Sequence, residues 1–412
     1  MTLPLYGTAS HSAGFSDGAR SVVRLRSIHS NAERHTADFA LAKTPDEVLR
    51  AIEAHWASIF VISDGSIERH VPDKFEGRLV GVPKKYDYLV DGDVLGFDHS
   101  SRKFRTLFRR NSAHNSFLVT ERCNNYCLMC SQPPKDVDDR WILSEIRESL
   151  PLIDAATGAL TFTGGETLSD WEDFIAVLKE CRDRLPTTSI QVLTNGRAFA
   201  NSRIVDAWRD IRHPNLMAAI PVYASVDHLH DHVVQARGAF DETMLGILKL
   251  KDRGQRVEIR VVLHALTAPI IEDTGRWIAR NLPFVDHVAL MGLENTGFAI
   301  ANDAMLWMDP MDYGDGLARA VDHLSAAGVN VSVYNLPKCV LPRSVWPHAV
   351  QSISDWKNDF VEECGWCDEK NSCSGFFTTG RPRFSRGIRA IMSQPPASSR
   401  SGLAGTPSGE RI

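Results

Sequence analysis

The sequence predicts an α/β protein built on a curved parallel sheet, with a smaller unit before it and a cysteine-rich extension after it. Short apolar segments alternate with helical patterns from about residue 158 to residue 293. Strands separated by helices pair in parallel through right-handed crossovers. Six such units are enough for a curved sheet but too few for a closed eight-stranded barrel. The pattern changes before residue 114, and cysteines cluster after residue 338.

The strands are predicted from short apolar runs, and the helices from an apolar stripe along one face. The predicted strands cover residues 116–120, 159–162, 189–194, 218–226, 257–263 and 285–291. The predicted helices cover residues 143–154, 171–185, 202–211, 241–251 and 271–281. Cys181 falls on the apolar face of its helix, which favours a packing role for this thiol.

Residues 1–113 are predicted to form a small α+β domain. Residues 86–90 and 93–97 are predicted as strands around a tight Asp91-Gly92 turn. Residues 44–57 are predicted as a helix with Thr44 as its N-cap and proline at its first position. The parallel unit then covers residues 114–310, and the cysteine-rich extension covers residues 311–380.

Residues 381–412 are predicted to be a disordered basic tail. They contain six serines, four prolines, four glycines, and six arginines against one acidic residue. Such a segment buries too little apolar surface to offset its chain entropy. The rest of the chain then carries a net charge of −10, against −5 for the whole.

Composition excludes several classes of protein. The chain has 412 residues, of which 43 % are hydrophobic and 24 % charged, so a fully disordered chain is excluded. No apolar run approaches the roughly 18 residues of a membrane span, and the net charge of −5 predicts no nucleic-acid or membrane partner. Residues 1–15 lack the pattern of a signal peptide, so a cytoplasmic location is expected. Eight cysteines are too few for a disulfide scaffold in a chain of this length.

Three cysteines lie close together after the first predicted strand. Cys123, Cys127 and Cys130 are spaced Cys-x3-Cys-x2-Cys. Three thiolates are one short of the set that closes a tetrahedral zinc site or a four-iron cluster. In a [4Fe–4S] cluster one iron would therefore stay open to an outside ligand. The alternative is a zinc knuckle that takes a remote fourth ligand.

The segment 120–130 resembles the cluster motif of the radical S-adenosylmethionine (SAM) superfamily. The resemblance implies a partial (β/α)6 barrel and a [4Fe–4S] cluster whose open iron binds SAM. An electron, from a flavodoxin- or ferredoxin-type donor, cleaves SAM to methionine and a 5′-deoxyadenosyl radical that abstracts hydrogen from the substrate. Met129 stands where the family usually has an aromatic residue near adenine, and a thioether can also cover a ring face.

Two further segments resemble SAM-binding motifs of this family. Gly164, Gly165 and Glu166 follow the second predicted strand, and they resemble the Gly-Gly-Glu motif that engages the SAM amino group. Asn195 lies in a Thr-Asn-Gly segment after the third strand, and it resembles a turn near the cofactor. By itself, an Asn-Gly pair is typical of any turn.

Several polar side chains after the later strands have two interpretations each. Ser225 and Asp227 are similar to a Ser-x-Asp element of the peptide-modifying members that reaches the SAM carboxylate and ribose, but they could equally cap the next helix. Arg260 could pair with the SAM carboxylate, although the solvent face of an alternating strand is favoured. Three histidines at alternate positions cannot share one helical face, so no metal site is predicted at His228, His230 and His232.

The C-terminal cysteines make one complete ligand set. They are Cys339, Cys364, Cys367 and Cys373. Ligand chemistry alone leaves structural zinc and a second iron–sulfur cluster open. Their Cys-x2-Cys-x5-Cys spacing resembles the SPASM-like extension of radical SAM peptide maturases, which favours one auxiliary iron–sulfur cluster.

The residues of four short segments narrow the resemblance to one subgroup of this superfamily. Residues 120–124, 127–134, 354–358 and 373–377 together resemble the radical SAM maturases of the His-Xaa-Ser system. This implies modification of a ribosomally made peptide or protein with His-Xaa-Ser repeats, alongside a second radical SAM maturase. The alternatives are a radical SAM enzyme that acts on a small metabolite or cofactor precursor, and a non-enzymatic zinc-binding adaptor.

Overall fold

A computed structural model describes residues 4–16, 20–30, 33–65, 71, 75–351, 358–377, 379 and 385–392. These residues form an eight-stranded sheet, a seven-stranded parallel sheet and a small two-stranded sheet. Helices separate the parallel strands along the chain. The predicted α/β class with a partial barrel is confirmed.

The eight-stranded sheet closes on itself. Its strands are β1 (Tyr6–Thr8), β2 (His11–Ala13), β3 (Arg20–Ser27), β4 (Asp38–Ala42), β5 (Ser58–Ile62), β6 (Arg78–Val82), β7 (Val94–Asp98) and β8 (Lys103–Phe108). In the order β1-β8-β7-β3-β4-β5-β6-β2, the two edge strands are separated along the chain by Ala9 and Ser10 only. The N–H groups of these two residues donate to the carbonyls of Arg102 and Gly81, both at 2.8 Å. One bent N-terminal segment therefore bridges the two edges, and the sheet is a barrel.

The predicted helix of this unit is present, but one predicted strand is wrong. Helix α1 (Pro45–Glu53) begins at a capping box between Thr44 and Glu47. Residues 86–90 form no strand, and β7 instead pairs with β8. Buried Asp93 explains the difference, because its carboxylate accepts the N–H of Val90 at 3.0 Å and so folds this stretch into a turn.

The seven-stranded sheet is parallel throughout, in the order β15-β14-β13-β12-β11-β10-β9. Its strands are β9 (Asn115–Leu118), β10 (Ala159–Thr163), β11 (Ser189–Leu193), β12 (Leu216–Pro221), β13 (Arg256–Leu263), β14 (His287–Gly292) and β15 (Val331–Tyr334). The sequence predicts six of them. The seventh, β15, is four residues long and lies beyond the predicted repeat of strands and helices.

The helices of this unit are α2 (Trp141–Ser149), α3 (Trp171–Arg184), α4 (Ser202–Arg209), α5 (Asp227–Val234), α6 (Ala239–Asp252), α7 (Ile271–Asn281), α8 (Phe298–Ala301), α9 (Asp303–Leu306) and α10 (Gly314–Ala326). Buried residues of α2, α3, α4, α6, α7 and α10 belong to the main hydrophobic core and cover one face of the sheet, whereas α5, α8 and α9 contribute to a separate small apolar cluster. Alternate strand residues point to the main hydrophobic core, which includes buried Cys181 as predicted. The opposite strand residues line the concave face, called the lumen below.

The two large sheets share this core. Val22, Val94 and Phe108 of the closed barrel belong to the same buried cluster as Phe117 and Ile146 of the parallel unit. The closed barrel is therefore fixed against β9 and α2 by apolar packing. A domain boundary near residue 113 stays a prediction.

The C-terminal region contains the short strands β16 (Asn358–Asp359) and β17 (Phe376–Phe377). Residues 385–392 do not fit the predicted disordered tail. The N–H of Arg386 donates to Asp309 at 3.0 Å, and the N–H of Asp368 donates to Ile391 at 2.9 Å. The remainder of the predicted tail, residues 381–384 and 393–412, and residues 354–357 of the motif at 354–358 lie outside the described residues. Within the described chain, no helix combines the length and apolar character needed to cross a membrane.

Candidate functional site

The three N-terminal cysteines lie in the loop that connects β9 to α2, at the carboxyl ends of the parallel strands. This edge is where ligands of parallel barrels bind. Cys123, Cys127 and Cys130 are each partly buried. Segments that follow the neighbouring strands β10 and β11 hold this cysteine loop through hydrogen bonds.

Burial dominates the electrostatics of the three thiols. It raises the pKa of Cys123 to about 11 and that of Cys127 to about 12, and it also raises the pKa of Cys130. Repulsion from the other two thiols adds to the raised pKa of Cys127, after burial. Without a metal these groups are neutral, and binding a cluster must displace their protons.

The two glycines of the Gly-Gly-Glu segment allow it to lie directly against the cysteine loop. A Cβ atom on Gly165 would come within 2.0 Å of the Arg122 carbonyl oxygen, and one on Gly164 within 2.3 Å of the Thr120 carbonyl oxygen. The N–H of Gly165 donates to Thr120, and that of Glu166 donates to Arg122, both at 2.8 Å. Gly164 also has a φ of +140°, in the region that favours glycine.

Glu166 connects the end of β10 to the end of β11. Its side chain is buried, and its Oε1 accepts the Thr194 hydroxyl at 2.6 Å and the Leu168 N–H at 3.0 Å. Its Oε2 accepts the Asn195 N–H at 2.7 Å. Burial raises the pKa of Glu166, and these three hydrogen bonds oppose that increase. The carboxylate therefore organises the turn that carries Asn195.

Asn195 and Arg197 hold the cysteine loop from the side of β11. The Asn195 Nδ2 donates to the Asn124 Oδ1 at 2.6 Å. The Arg197 Nη1 donates to the Asn124 carbonyl at 2.9 Å and to the Asn125 Oδ1 at 2.7 Å. The sequence analysis singled out Asn195 but missed Arg197, which stands two positions further along the same turn.

A second set of contacts fixes the start of the cysteine loop. Buried Asp139 accepts the Thr120 hydroxyl at 2.9 Å and the Glu121 N–H at 2.5 Å, and it pairs with the Arg122 Nε at 3.1 Å. Arg122 also pairs with Asp170 at the start of α3. Sequence patterns gave no signal for Asp139, because it lies in an irregular segment 16 residues after Cys123.

The structure places Met129, Ser225 and Asp227 in different surroundings. Met129 is 7 % exposed and packs with Tyr223 and Val233 in a small apolar cluster. Ser225 is partly buried, and Asp227 is exposed at the first position of α5. The N-cap of α5 is Val226, so the capping interpretation is wrong for Ser225, whereas the Asp227 Oδ1 accepts the His228 N–H of the first turn at 2.7 Å. Their contacts with SAM stay predictions.

The three alternate histidines do not converge, as predicted. His230 is buried, whereas His228 and His232 are exposed. Burial lowers the pKa of His230 to about 4, so this imidazole is neutral at pH 7. Its Nδ1 accepts the Tyr223 N–H at 3.3 Å, which gives it a structural role.

A polar network that the sequence analysis missed lies in the lumen. The His287 Nδ1 lies 2.9 Å from the Glu258 Oε2, and its Nε2 lies 2.9 Å from the Ser332 hydroxyl. Arg260 pairs with Glu258 at 3.5 Å, and its side chain is only 15 % exposed. The predicted solvent-facing position of Arg260 is therefore wrong. Alternation assigns this residue to the face opposite the helices, and that face is the lumen rather than open solvent.

The four C-terminal cysteines lie near one another. Cys373 and Cys364 both add to the raised pKa of Cys339, after burial. Backbone N–H groups point at two of the sulfurs, from Lys338 to Cys373 and from Ile391 to Cys367, both at 3.4 Å. Hydrogen bonds of this kind accompany metal-bound thiolates.

Both cysteine groups have the chemistry of metal ligands. Within the described parts of the chain, no group of three or more His, Cys, Asp or Glu side chains is arranged to hold a metal ion. The donors present are nevertheless three clustered thiols in the N-terminal site and four in the C-terminal site, a soft set suited to iron–sulfur clusters or zinc.

Comparisons with solved structures and curated proteins give distant similarities. Streptococcus suis SuiB bound to S-adenosylmethionine is 13 % identical, over 54 % of this chain and 50 % of that chain, with a TM-score of 0.43. A radical SAM methyltransferase from Sphaerobacter thermophilus is 16 % identical, over 58 % and 72 %, with a TM-score of 0.42. The structure of anSMEcpe with bound AdoMet and Kp18Cys peptide is 15 % identical, over 67 % and 92 %, with a TM-score of 0.46. No curated protein matches the sequence.

The chain thus spans about half the length of the SuiB chain.

A family comparison is more specific, because residues 117–278 match the model of the Radical SAM superfamily. The match begins in β9 and ends in α7, so it includes all three N-terminal cysteines, Glu166 and Asn195. This part of the chain is a radical SAM domain, whose family implies a [4Fe–4S] cluster and SAM.

Proposed function

We propose that the protein is a radical SAM enzyme that modifies a ribosomally made peptide or protein carrying His-Xaa-Ser repeats. The observation that carries the enzyme class is the cysteine loop, which is held by Glu166, Asn195 and Arg197 at the carboxyl edge of the parallel sheet. When bound, the cluster and SAM supply a 5′-deoxyadenosyl radical that abstracts hydrogen from the substrate.

In this proposal Cys123, Cys127 and Cys130 hold the catalytic cluster. Gly164 and Gly165 bring the backbone of their segment against that loop, and a SAM ligand would lie at the same edge. Buried Glu166 accepts three hydrogen bonds that position the Asn195 turn, and in this proposal its carboxylate also orients SAM. Ser225, Asp227 and Met129 are further candidates for SAM contacts.

The C-terminal thiols are proposed to hold one auxiliary iron–sulfur cluster. The hydrogen bonds from Lys338 and Ile391 to two of the sulfurs support a bound thiolate state. Zinc is the alternative occupant. Iron, sulfide and zinc content of anaerobically purified protein distinguishes them, because two clusters give about eight irons per chain, whereas zinc gives about four irons and one zinc.

The peptide substrate is proposed from the resemblance of the sequence to His-Xaa-Ser maturases. A second radical SAM maturase and a flavodoxin- or ferredoxin-type electron donor are the proposed partners. The structure of SuiB bound to precursor peptide SuiA is among the similar structures, at 12 % identity and a TM-score of 0.43.

The test is anaerobic reconstitution followed by reduction with dithionite. Methionine and 5′-deoxyadenosine are expected from SAM, and Cys130→Ala should abolish both products. Retained cleavage in Cys130→Ala would overturn the ligand assignment. Cys181→Ala is the matched control, since this thiol is buried in the core on α3 and belongs to neither cysteine group.

The substrate class is tested separately by incubation with a His-Xaa-Ser peptide and mass spectrometry. A mass change that depends on SAM supports peptide modification. SAM cleavage without any change in such peptides favours a small metabolite. Colourless protein that contains zinc, lacks iron and leaves SAM intact would instead identify an adaptor.

A further inference from the structure

A cavity of about 590 Å³ lies between the closed barrel and the parallel sheet. Its lining includes Thr120, Glu121 and Gly165, so it reaches the segments that flank Cys123. On the opposite side it is lined by Tyr6 and Lys103 of the closed barrel. Ligand sites in proteins typically have volumes of about 300–1,000 Å³, and this cavity falls in that range.

The cavity lies beside an unpaired strand edge. β9 is the outermost strand of the parallel sheet, and within the described residues its one strand partner is β10. The N–H of Val119 donates to the Thr163 carbonyl of β10 at 2.8 Å. Because successive residues of a strand point their backbone groups to opposite sides, Ser116 and Leu118 direct theirs outward. Among the residues described, none forms a backbone hydrogen bond to this outer side.

Apolar side chains line the rim of the same cavity. Tyr6 is 65 % exposed and Val137 is 40 % exposed, and both are among its lining residues. The Trp141 ring lies beneath the guanidinium of Arg20, at 3.5 Å from its centroid. Exposed apolar groups at the rim of a cavity are typical of a surface that a partner covers.

The charged groups around the cavity are paired, with one exception. The pairs are Arg20 with Asp98, Arg105 with Glu145, Lys135 with Glu121, Asp138 with Arg140, and Asp139 with Arg122. Lys103 has no ion pair within the part of the chain that the structure describes. Lys103 is exposed and its charge is not neutralised by an ion pair there. A ligand that carries a carboxylate would complement it.

We propose that this cavity receives an extended segment of the substrate peptide, which adds as a strand to the outer edge of β9 and places an acidic side chain at Lys103. The inference rests on the proposed peptide substrate and identifies where that peptide docks. Backbone hydrogen bonds to Ser116 and Leu118 would supply affinity, and the apolar rim and Lys103 would supply specificity. A peptide held here would enter beside the cysteine loop.

The edge contact is tested with Ser116→Pro and its matched control Ser116→Ala. Proline removes the outward N–H and leaves the bonds to β10 in place, whereas alanine keeps that N–H. The probe is a fluorescein-labelled peptide with two His-Xaa-Ser repeats preceded by a glutamate, titrated with reconstituted enzyme and followed by anisotropy. Loss of one net hydrogen bond predicts binding about three- to tenfold weaker for Ser116→Pro. Alanine should change the Kd by less than about twofold.

Hydrogen exchange of the wild-type enzyme gives a second measurement that needs no variant. Bound peptide should slow exchange of the Ser116 and Leu118 amides, while the Phe117 amide, which faces β10, should change little. Unchanged exchange at Ser116 and Leu118 under saturating peptide would overturn the docking mode, even if Ser116→Pro proved to be unstable.

The contact at Lys103 is tested by reversing the charge of this residue and the charge of the peptide residue that would face it. Lys103→Glu should weaken binding of the glutamate peptide and restore binding of a peptide with lysine at that position. Lys179→Glu, an exposed charge on α3, is the control and should leave both affinities unchanged. If Ser116→Pro and Lys103→Glu still modify the peptide and bind it with wild-type affinity, the docking site is wrong, whereas the proposed function stands. If the wild type neither binds nor modifies any His-Xaa-Ser peptide, the proposed function fails, and the docking site fails with it.

Discussion

The Glu166 carboxylate accepts the Asn195 backbone N–H at 2.7 Å, which joins the ends of two neighbouring strands beneath the cysteine loop. Glu166→Ala would leave that N–H, the Thr194 hydroxyl and the Leu168 N–H without an acceptor in a buried place. At about 1–3 kcal/mol for each unsatisfied group, we expect a loss of at least about 3 kcal/mol in the free energy of unfolding. Thermal unfolding of the metal-free protein measures it.

The control for this variant is Glu53→Ala at the exposed end of α1. This substitution should stay within about 0.5 kcal/mol of the wild type, as is usual on the surface. A Glu166→Ala protein as stable as this control would show that the carboxylate does not organise the turn.

Gly165→Ala should prevent assembly of the cluster. The new Cβ would meet the Arg122 carbonyl oxygen at 2.0 Å and the Cys123 Cβ at 3.1 Å, so the cysteine loop must move. We expect reconstituted protein with iron reduced to the level of the auxiliary centre and without SAM cleavage. Gly158→Ala is the matched control, because nothing lies within 4 Å of its added Cβ. Wild-type iron content in Gly165→Ala would contradict the close approach of these segments.

Asp93 should make stability depend on pH. Burial raises its pKa to about 6 in the folded protein, against 3.8 for an ordinary aspartate, although the N–H groups of Val90 and Arg110 oppose the shift. The folded state therefore binds the proton more tightly than the unfolded state. The stability contribution of Asp93 should rise as pH falls through 6 and level off below about 3.8.

The measurement compares the wild type with Asp93→Asn by calorimetry at pH 7 and pH 5. Relative to Asp93→Asn, the wild type should be more stable at pH 5 than at pH 7 by about 1 kcal/mol in unfolding free energy. An equal difference at both pH values would mean that Asp93 is ionised throughout this range.

Glu258 should be needed for stability, because its carboxylate contacts both Arg260 and His287. Glu258→Ala would leave the Arg260 guanidinium, which is 15 % exposed, without its counter-charge. Breaking a buried pair in this way costs about 3–5 kcal/mol of stability. The double variant Glu258→Leu with Arg260→Met removes both charges and should recover most of that loss. Equal instability of the single and double variants in urea unfolding would refute a buried ion pair as the cause.

Much of the parallel sheet is predictable because its signals are local. The apolar run of Val257–Leu263 and the spacing of Cys123, Cys127 and Cys130 each depend on a few neighbouring residues. The same holds for the glycine pair before Glu166. Local pattern therefore predicts which side chains reach the carboxyl edge of the sheet.

Contacts between separate segments are not predictable in this way. Asp139 and Arg197 acquire their roles only when their loops meet the cysteine loop in space. The predicted solvent-facing position of Arg260 is wrong because alternation only separates the two faces of a strand. It does not show whether the polar face meets solvent or a lumen. Residues 86–90 have a strand-like composition, but the Asp93 carboxylate holds Val90 in a turn.

Closure of the N-terminal barrel has a practical consequence for anyone shortening this chain. Residues 6–13 pair with β8 through one half and with β6 through the other. A chain that begins at Phe15 would expose the edges of two strands at once, and unpaired edges promote association between molecules. We expect such a truncated protein to aggregate on expression, which size-exclusion chromatography beside the full chain would detect.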